Sequence, residues 1–228
     1  MDCKGSKRCL QVYLSDKPDV LERAIKDRRS EWKDALTIEW LGPKKNDGIW
    51  DWKELSGDAF WDVLGIDPQK TRNFWPARGP HWDAVARLTF PNDSFCHILF
   101  EAKANVSELK SYLRAGNGEG QKTLIEKSLN EYSLNLKGYY QTCNRLAHLN
   151  FLRREYPDVN VHLCYLYFVN DNSHIKTEQN KWDAALTRQY EAMNSVIIDP
   201  ENSVIIDPDD VFNAIFLDAS DINKSCKK

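Results

Sequence analysis

Two apolar alternations separated by four turn-forming residues constrain this chain most. Ala84, Ala86, Leu88 and Phe90 alternate with Val85, Arg87 and Thr89, and Cys96, Ile98, Phe100 and Ala102 alternate with His97, Leu99 and Glu101. Period-two patterning belongs to strands, whose successive side chains point to opposite faces of a sheet. Pro91-Asn92-Asp93-Ser94 between them is a strong turn signal. The segment predicts strands over His81–Phe90 and Cys96–Lys103, joined as a hairpin.

The rest of the chain supplies what would cover such a hairpin. Helical spacing of Val20, Leu21, Ala24 and Ile25 behind Pro18 predicts a helix over 18–36. Ala35–Leu41 reads as a strand stopped by Gly42-Pro43. A short helix is expected over 56–64, another over 107–113, and a long helical stretch over 121–156 broken near Gly138. Val161–Val169 is an almost unbroken apolar run that predicts a buried strand, and Ala214–Leu217 a last one. The fold class is therefore α/β (α+β), a mixed sheet flanked by helices in one domain over residues 1–228. Residues 44–80, which hold Trp50, Trp52, Trp61 and Trp75, read as an irregular segment packing a satellite core, with base stacking as the less favoured role. Asn194–Glu201 and Asn202–Asp209 duplicate an octapeptide, too few copies for a solenoid and better suited to a variable surface loop.

Composition narrows the class further. With 42% hydrophobic and 29% charged residues, a collagenous, coiled-coil or disordered chain is excluded. No apolar run approaches the ~20 residues of a membrane-spanning helix, and no secretory signal is visible, so a soluble cytoplasmic protein without a membrane partner is expected. The six cysteines form no CxxC and the five histidines are scattered, which argues for reduced thiols and against a zinc site. The net charge of −3 divides unevenly: residues 1–154 carry 25 basic against 21 acidic side chains, and residues 155–228 carry 6 against 13. A weakly basic body is compatible with nucleic acid on one face.

Chemistry concentrates on the hairpin. If its apolar faces lie on one side, paired residue numbers must sum to an even value. Pairing Ala84 with Ala102 sets Asp83 opposite Lys103, and the neighbouring even register sets Asp83 opposite Glu101. Either brings Asp83, Glu101 and Lys103 within about 5–8 Å between β-carbons. A plain four-residue turn gives an odd sum and splits them, unless a bulge intervenes. Two close carboxylates repel, a hard dication relieves the repulsion, and Mg²⁺ combines few protein oxygens with water and phosphate oxygens. A salt-bridged strand end explains the pattern about as well.

Asp83 followed by a hydrophobic strand ending in Glu101-Ala102-Lys103 resembles the PD-(D/E)xK (restriction-endonuclease-like) nuclease superfamily. Phe74-Trp75-Pro76, Trp82–Val85, Phe100–Ala104, Tyr139–Ala147 and Ile215–Asp218 are similar to an uncharacterised bacterial branch of it, over about residues 70–220. The Pro-Asp dipeptide is absent, the order here being Pro80-His81-Trp82-Asp83, and the octapeptide duplication is a further departure. The resemblance implies a restriction-endonuclease-like core and metal-dependent hydrolysis of DNA, with Mg²⁺ or Mn²⁺ as cofactor. It implies Asp83, Glu101 and the Ala102 backbone carbonyl as metal ligands, and Lys103 as the group that orients or activates water. It leaves room for a homodimer and for a further acid from the first helix, Glu22 or Glu31, with Glu108 as another supporting acid. Gln141, Asn144, Arg145 and His148 share one arc of a helical wheel; such an arc is ordinarily a solvated face, but in the resembling fold it places Gln141, Asn144 and Arg145 to support the site or contact phosphates. The competing reading is a nuclease fold that no longer cuts and serves as a nucleic-acid-binding or protein-interaction module. A third is an interaction protein that uses its tryptophan-rich segment.

Two weaker signals carry little. Ala115–Thr123 lacks the Gly directly before Lys that a phosphate-binding loop needs, and reads as a flexible loop. Cys143 and His148 lie about 140° apart on a helix, so they form no nucleophile–base pair.

Overall fold

The computed structural model describes residues 4–113, 118–134, 136–194 and 213–222. Five strands form the central sheet: β1 (Thr37–Gly42), β6 (Ala84–Thr89), β7 (Phe95–Lys103), β8 (Val161–Val169) and β9 (Asn213–Asp218), in that spatial order. β1, β6 and β7 run antiparallel to one another in succession, while β8 and β9 follow β7 in parallel. Parallel neighbours need crossovers, and helices supply them. α5 (Gly118–Glu131) and α6 (Tyr140–Glu155) lie between β7 and β8 in the chain, and α7 (Gln179–Asn194) between β8 and β9.

Both sheet faces are covered. On one face Ala84, Ala86, Leu88, Ile98, Phe100, Leu166 and Phe168 pack with α1 (Gly5–Asp16) and α2 (Pro18–Arg28), through Leu10, Leu14, Leu21 and Ile25. On the other Val85, Leu99, Leu163, Tyr165 and Tyr167 pack with α6, α7 and the aromatic residues of the 60–82 region. The α/β class and the mixed sheet expected from patterning are present. α1 and α7 are not foreshadowed by the sequence reading. The expected helix over 18–36 ends at Arg28, followed by a 3₁₀ turn over Ser30–Trp32.

Residues 44–80 are more ordered than expected. They hold a hairpin of β2 (Lys44–Asn46) and β3 (Ile49–Asp51), strand β4 (Leu55–Ser56) paired to β5 (His81–Trp82), and helices α3 (Asp58–Val63) and α4 (Pro68–Thr71). Asp67 caps α4, its Oδ1 accepting from the Gln69 amide at 2.9 Å with Pro68 in the first turn. Trp61 and Trp75 sit in the main core, not a satellite one, against Phe60, Phe74, Trp82 and His148. Trp50 and Trp52 are half-buried and stack on each other at 5.2 Å between centroids. The short helix expected over 107–113 is a 3₁₀ turn over Val106–Leu109. The glycine-rich segment expected as a loop already enters α5 at Gly118, while residues 114–117 lie outside the described ones. The octapeptide duplication, but for Asn194, lies outside them as well.

The hairpin register is the even one that sets Asp83 across from Glu101. Ala84 pairs with Phe100 and Thr89 with Phe95, and the Phe90 amide donates to the Ser94 carbonyl at 2.9 Å. Three residues therefore make the loop, with Asp93 in the left-handed region at φ 62°. That is the three-residue hairpin geometry, and it adds the residue that converts an odd register into an even one.

A candidate active site at the end of the hairpin

Glu101 and Lys103 lie on the α6 face of β7, both nearly withdrawn from water at 2% and 6% exposure. Asp83 lies just before β6, where the chain leaves its pairing with β4, and is only partly buried. Its Oδ2 accepts a hydrogen bond of 2.8 Å from the Ala102 backbone amide. The Ala102 contact with Asp83 is thus its N–H; because N–H and C=O of one strand residue leave on the same side, its carbonyl is turned toward that edge too.

Lys103 Nζ donates to Glu101 Oε1 and, at 3.2 Å, to Gln141 Oε1. Arg145 reaches Glu101 from α6, its Nε 2.7 Å from Oε2. A second nitrogen of the same guanidinium donates to the His81 carbonyl at 2.6 Å, and the group lies 4.7 Å over the Trp82 ring. Ser111 anchors the start of α6: its carbonyl accepts from the Tyr140 amide and its hydroxyl from the Gln141 amide at 2.8 Å. Strand β7 thus presents Glu101 and Lys103, the residue before β6 presents Asp83, and the first two turns of α6 present Gln141 and Arg145 to them.

The polar arc of α6 is not a solvated face. Residues Thr142 through Leu152 are all buried, so its polar members must find partners inside the protein. Gln141 and Arg145 find Lys103 and Glu101. His148 fits among Phe74, Trp75 and Trp61, with Nδ1 2.8 Å from the Asn144 carbonyl. Burial pushes its pKa down to about 3, so it is neutral at physiological pH.

The two carboxylates stand in contrasting surroundings. Glu101 is lowered: burial opposes its ionisation, but Arg145 and Lys103 outweigh burial. Asp83 is pushed up to about 7, first by burial and then by the charge of Glu101, against the pull of Lys103, the Ala102 amide and Arg145. Asp83 has no ion-pair partner among the described residues. This is a pair whose second charge is poorly compensated, the situation that a divalent cation relieves.

Among the described residues no group of three or more His, Cys, Asp or Glu is gathered to hold a metal ion. Two carboxylates with a carbonyl turned to the same edge suit Mg²⁺, which keeps several of its waters. The remaining acids do not join. Glu31 pairs with Arg29 and lines a separate cleft of about 580 Å³ with Trp32, Asp34, Cys96 and His162. Glu22 lies on α2, which packs on the opposite face of the sheet from Glu101. Glu108 tidies the end of β7, accepting from the Ala104 amide at 3.2 Å and from Asn105 Nδ2 at 2.6 Å.

Beside the charged centre a cleft of about 670 Å³ opens, with Gln141 and Arg145 in its wall. Asp83, Glu101 and Lys103 stand behind that wall and do not line the cleft. Its other lining residues include Trp75, weighed in the sequence only as a less favoured base-stacking aromatic, and Arg78, Lys110 and Tyr112, which the sequence reading did not single out. The available signal was positional, since Lys110 and Tyr112 follow the Glu-x-Lys strand within ten residues. Arg145, expected as a supporting or phosphate-contacting residue, has its guanidinium on the Glu101 carboxylate and the His81 carbonyl. Comparison with protein-family models, with curated proteins and with solved structures finds no match to this chain.

Proposed function

We propose that this chain is a metal-dependent nuclease that hydrolyses phosphodiester bonds in DNA, with Mg²⁺ or Mn²⁺ held by Asp83 and Glu101. One observation carries the reading: two opposed carboxylates and a lysine meet at one end of the sheet, and one of the acids is short of positive charge. The strand order supports a restriction-endonuclease-like core, an antiparallel β1-β6-β7 meander followed by parallel β8 and β9 between helical layers.

Bound there, a divalent cation supplies charge neutralisation at phosphorus and acidifies water. The chain's own groups do the positioning. The Ala102 amide fixes the Asp83 rotamer, and Arg145 fixes that of Glu101. Lys103, spanning Glu101 and Gln141, is held where an ammonium can orient an attacking water and stabilise charge developing on phosphate oxygens. Its hydrogen bonds to two oxygen acceptors restrict it to few rotamers, so little ordering is left for the reaction itself. Cytoplasmic placement goes with this reading and is supported by the free, buried thiols of Cys9, Cys96, Cys143 and Cys164. No described helix is long and apolar enough to cross a membrane.

Plasmid nicking in Mg²⁺ or Mn²⁺ tests the proposal. Cleavage is expected, with loss of about 10²-fold or more in Asp83→Ala, Glu101→Ala and Lys103→Ala proteins. Activity undiminished in all three rejects it. A second reading, a nuclease fold that no longer cuts, has its own support: Glu101 is already neutralised by both Lys103 and Arg145. Calorimetry separates the two, because absence of any carboxylate-dependent Mg²⁺ binding favours the inactive module.

A further inference from the structure

The cleft beside the charged centre has an unusual charge pattern for this chain. Acidic side chains outnumber basic ones overall, 34 to 31, yet no Asp or Glu lines this cleft, while Arg78, Lys110, Arg145 and His81 do. The other clefts described on the molecule all carry at least one carboxylate. Arg145 is paired with Glu101, and His81 lies 3.8 Å from Glu54, so Arg78 and Lys110 are the cations that make this acid-free concavity attract anions. The first turn of α6 enters its wall through Tyr140 and Gln141, adding the positive end of a 16-residue helix.

An exposed aromatic ring distinguishes a nucleic acid strand from a simple anion as the occupant. Tyr112, at the cleft, leaves 60% of its surface exposed. An exposed ring beside cations is a stacking platform for a base.

Shape selects between single and double strands. A duplex presents its phosphates on a convex surface with its bases stacked inside. A concavity of about 670 Å³ is in the range that encloses small ligands, so it admits a backbone segment with one or two splayed bases. Arg145 belongs to both the cleft wall and the Glu101 pair, so a strand lying there is separated from the charged centre by that side chain.

We infer that this cleft is a binding groove for single-stranded nucleic acid, holding an unpaired strand beside the carboxylate pair. The inference deepens the nuclease reading and rests on it for what happens to the strand once bound. Arg78 and Lys110 are the cations to test, because both are exposed and neither belongs to the Asp83–Glu101–Lys103 centre.

The test is fluorescence anisotropy on the full chain in EDTA, with a labelled 12-residue single strand and the matching duplex. The single strand is expected to bind about tenfold or more tightly than the duplex. In the Arg78→Gln/Lys110→Gln protein its affinity falls at least tenfold, and the salt slope drops by about 1.4 for two lost phosphate contacts on a single strand. A Tyr112→Ala protein, with both cations intact, is expected to weaken the strand without changing the salt slope. Equal or tighter duplex binding overturns the inference, as does unchanged affinity in the double variant. Competition by inorganic phosphate at the same concentration as the strand also overturns it, showing an anion pocket only. Cleavage is a separate readout: strand binding in EDTA without hydrolysis in Mg²⁺ refutes the nuclease reading and leaves the groove standing, whereas hydrolysis without selective strand binding does the reverse.

Discussion

Arg145 Nε lies 2.7 Å from Glu101 Oε2, and both side chains are almost wholly removed from water. The pair joins the central strand β7 to α6, 44 residues later in the chain. Breaking a buried pair by removing one partner leaves an uncompensated charge, at a cost of about 3–5 kcal/mol. Arg145→Ala should therefore lower stability by about that amount in urea denaturation. Arg145→Ala combined with Glu101→Gln should cost less than the two single changes added together. Strict additivity would show that the two groups do not interact.

Asp83 gives a pH dependence of opposite sign to an ordinary carboxylate. Its folded pKa, about 7, lies above the value near 3.9 of an unfolded aspartate. Between those values the folded state holds a proton that the unfolded state has released, so the contribution of Asp83 to stability falls as pH rises from about 4 to 7. Asp83→Asn removes the charge and keeps the shape. It should be more stable than the parent by about 1–3 kcal/mol at pH 8, with the gap closing toward pH 4.

Divalent metal should act on the same group from the other side. Millimolar Mg²⁺ is expected to raise the melting temperature of the parent more at pH 8 than at pH 6, because protons and metal compete for Asp83. The shift should vanish in Asp83→Asn and Glu101→Gln. A metal-induced shift of equal size in all three proteins would place the ion elsewhere.

Two buried histidines set the acid limit. Burial holds His148 at about 3, and holds His97, with added repulsion from Arg87, at about 4. Both lie below the unfolded value near 6.5, so the unfolded chain takes up protons first and stability falls as pH drops through 6 toward 4. Each group contributes about 1.4 kcal/mol per pH unit within that window. His97→Gln should flatten the acid limb by one proton, measured as the slope of unfolding free energy against pH between 4 and 6.

Gly79 tests the cleft wall. A β-carbon there would lie 2.6 Å from Trp75 Nε1 and 2.9 Å from its Cδ1, so the indole must move. Gly79→Ala should cost about 1–3 kcal/mol and alter the near-ultraviolet circular dichroism of the aromatic cluster. A spectrum and stability identical to the parent's would mean that the ring has room the structure does not show.

Much of this architecture is legible in the residues themselves. Alternation at 84–90 and 96–102 determines which side chains share a face, because the strand period is two for any sequence, and so Glu101 and Lys103 had to emerge together with Asp83 once the register was even. The apolar run at 161–169 likewise had to be a strand buried on both faces. Tertiary structure decided the rest. Asp93 in a left-handed conformation selects the even register, and no pattern in Pro91–Ser94 distinguishes it from the odd one. The polar arc of α6 has the same spacing whether it meets water or a buried carboxylate; only its packing over β7 assigns Arg145 to Glu101 and not to solvent. The acid-free cleft is still less visible, since it gathers Arg78, Lys110 and Arg145 from three separate segments. Local periodicity dictates direction, whereas burial and charge compensation depend on which distant groups arrive, and that is a property of the folded chain alone.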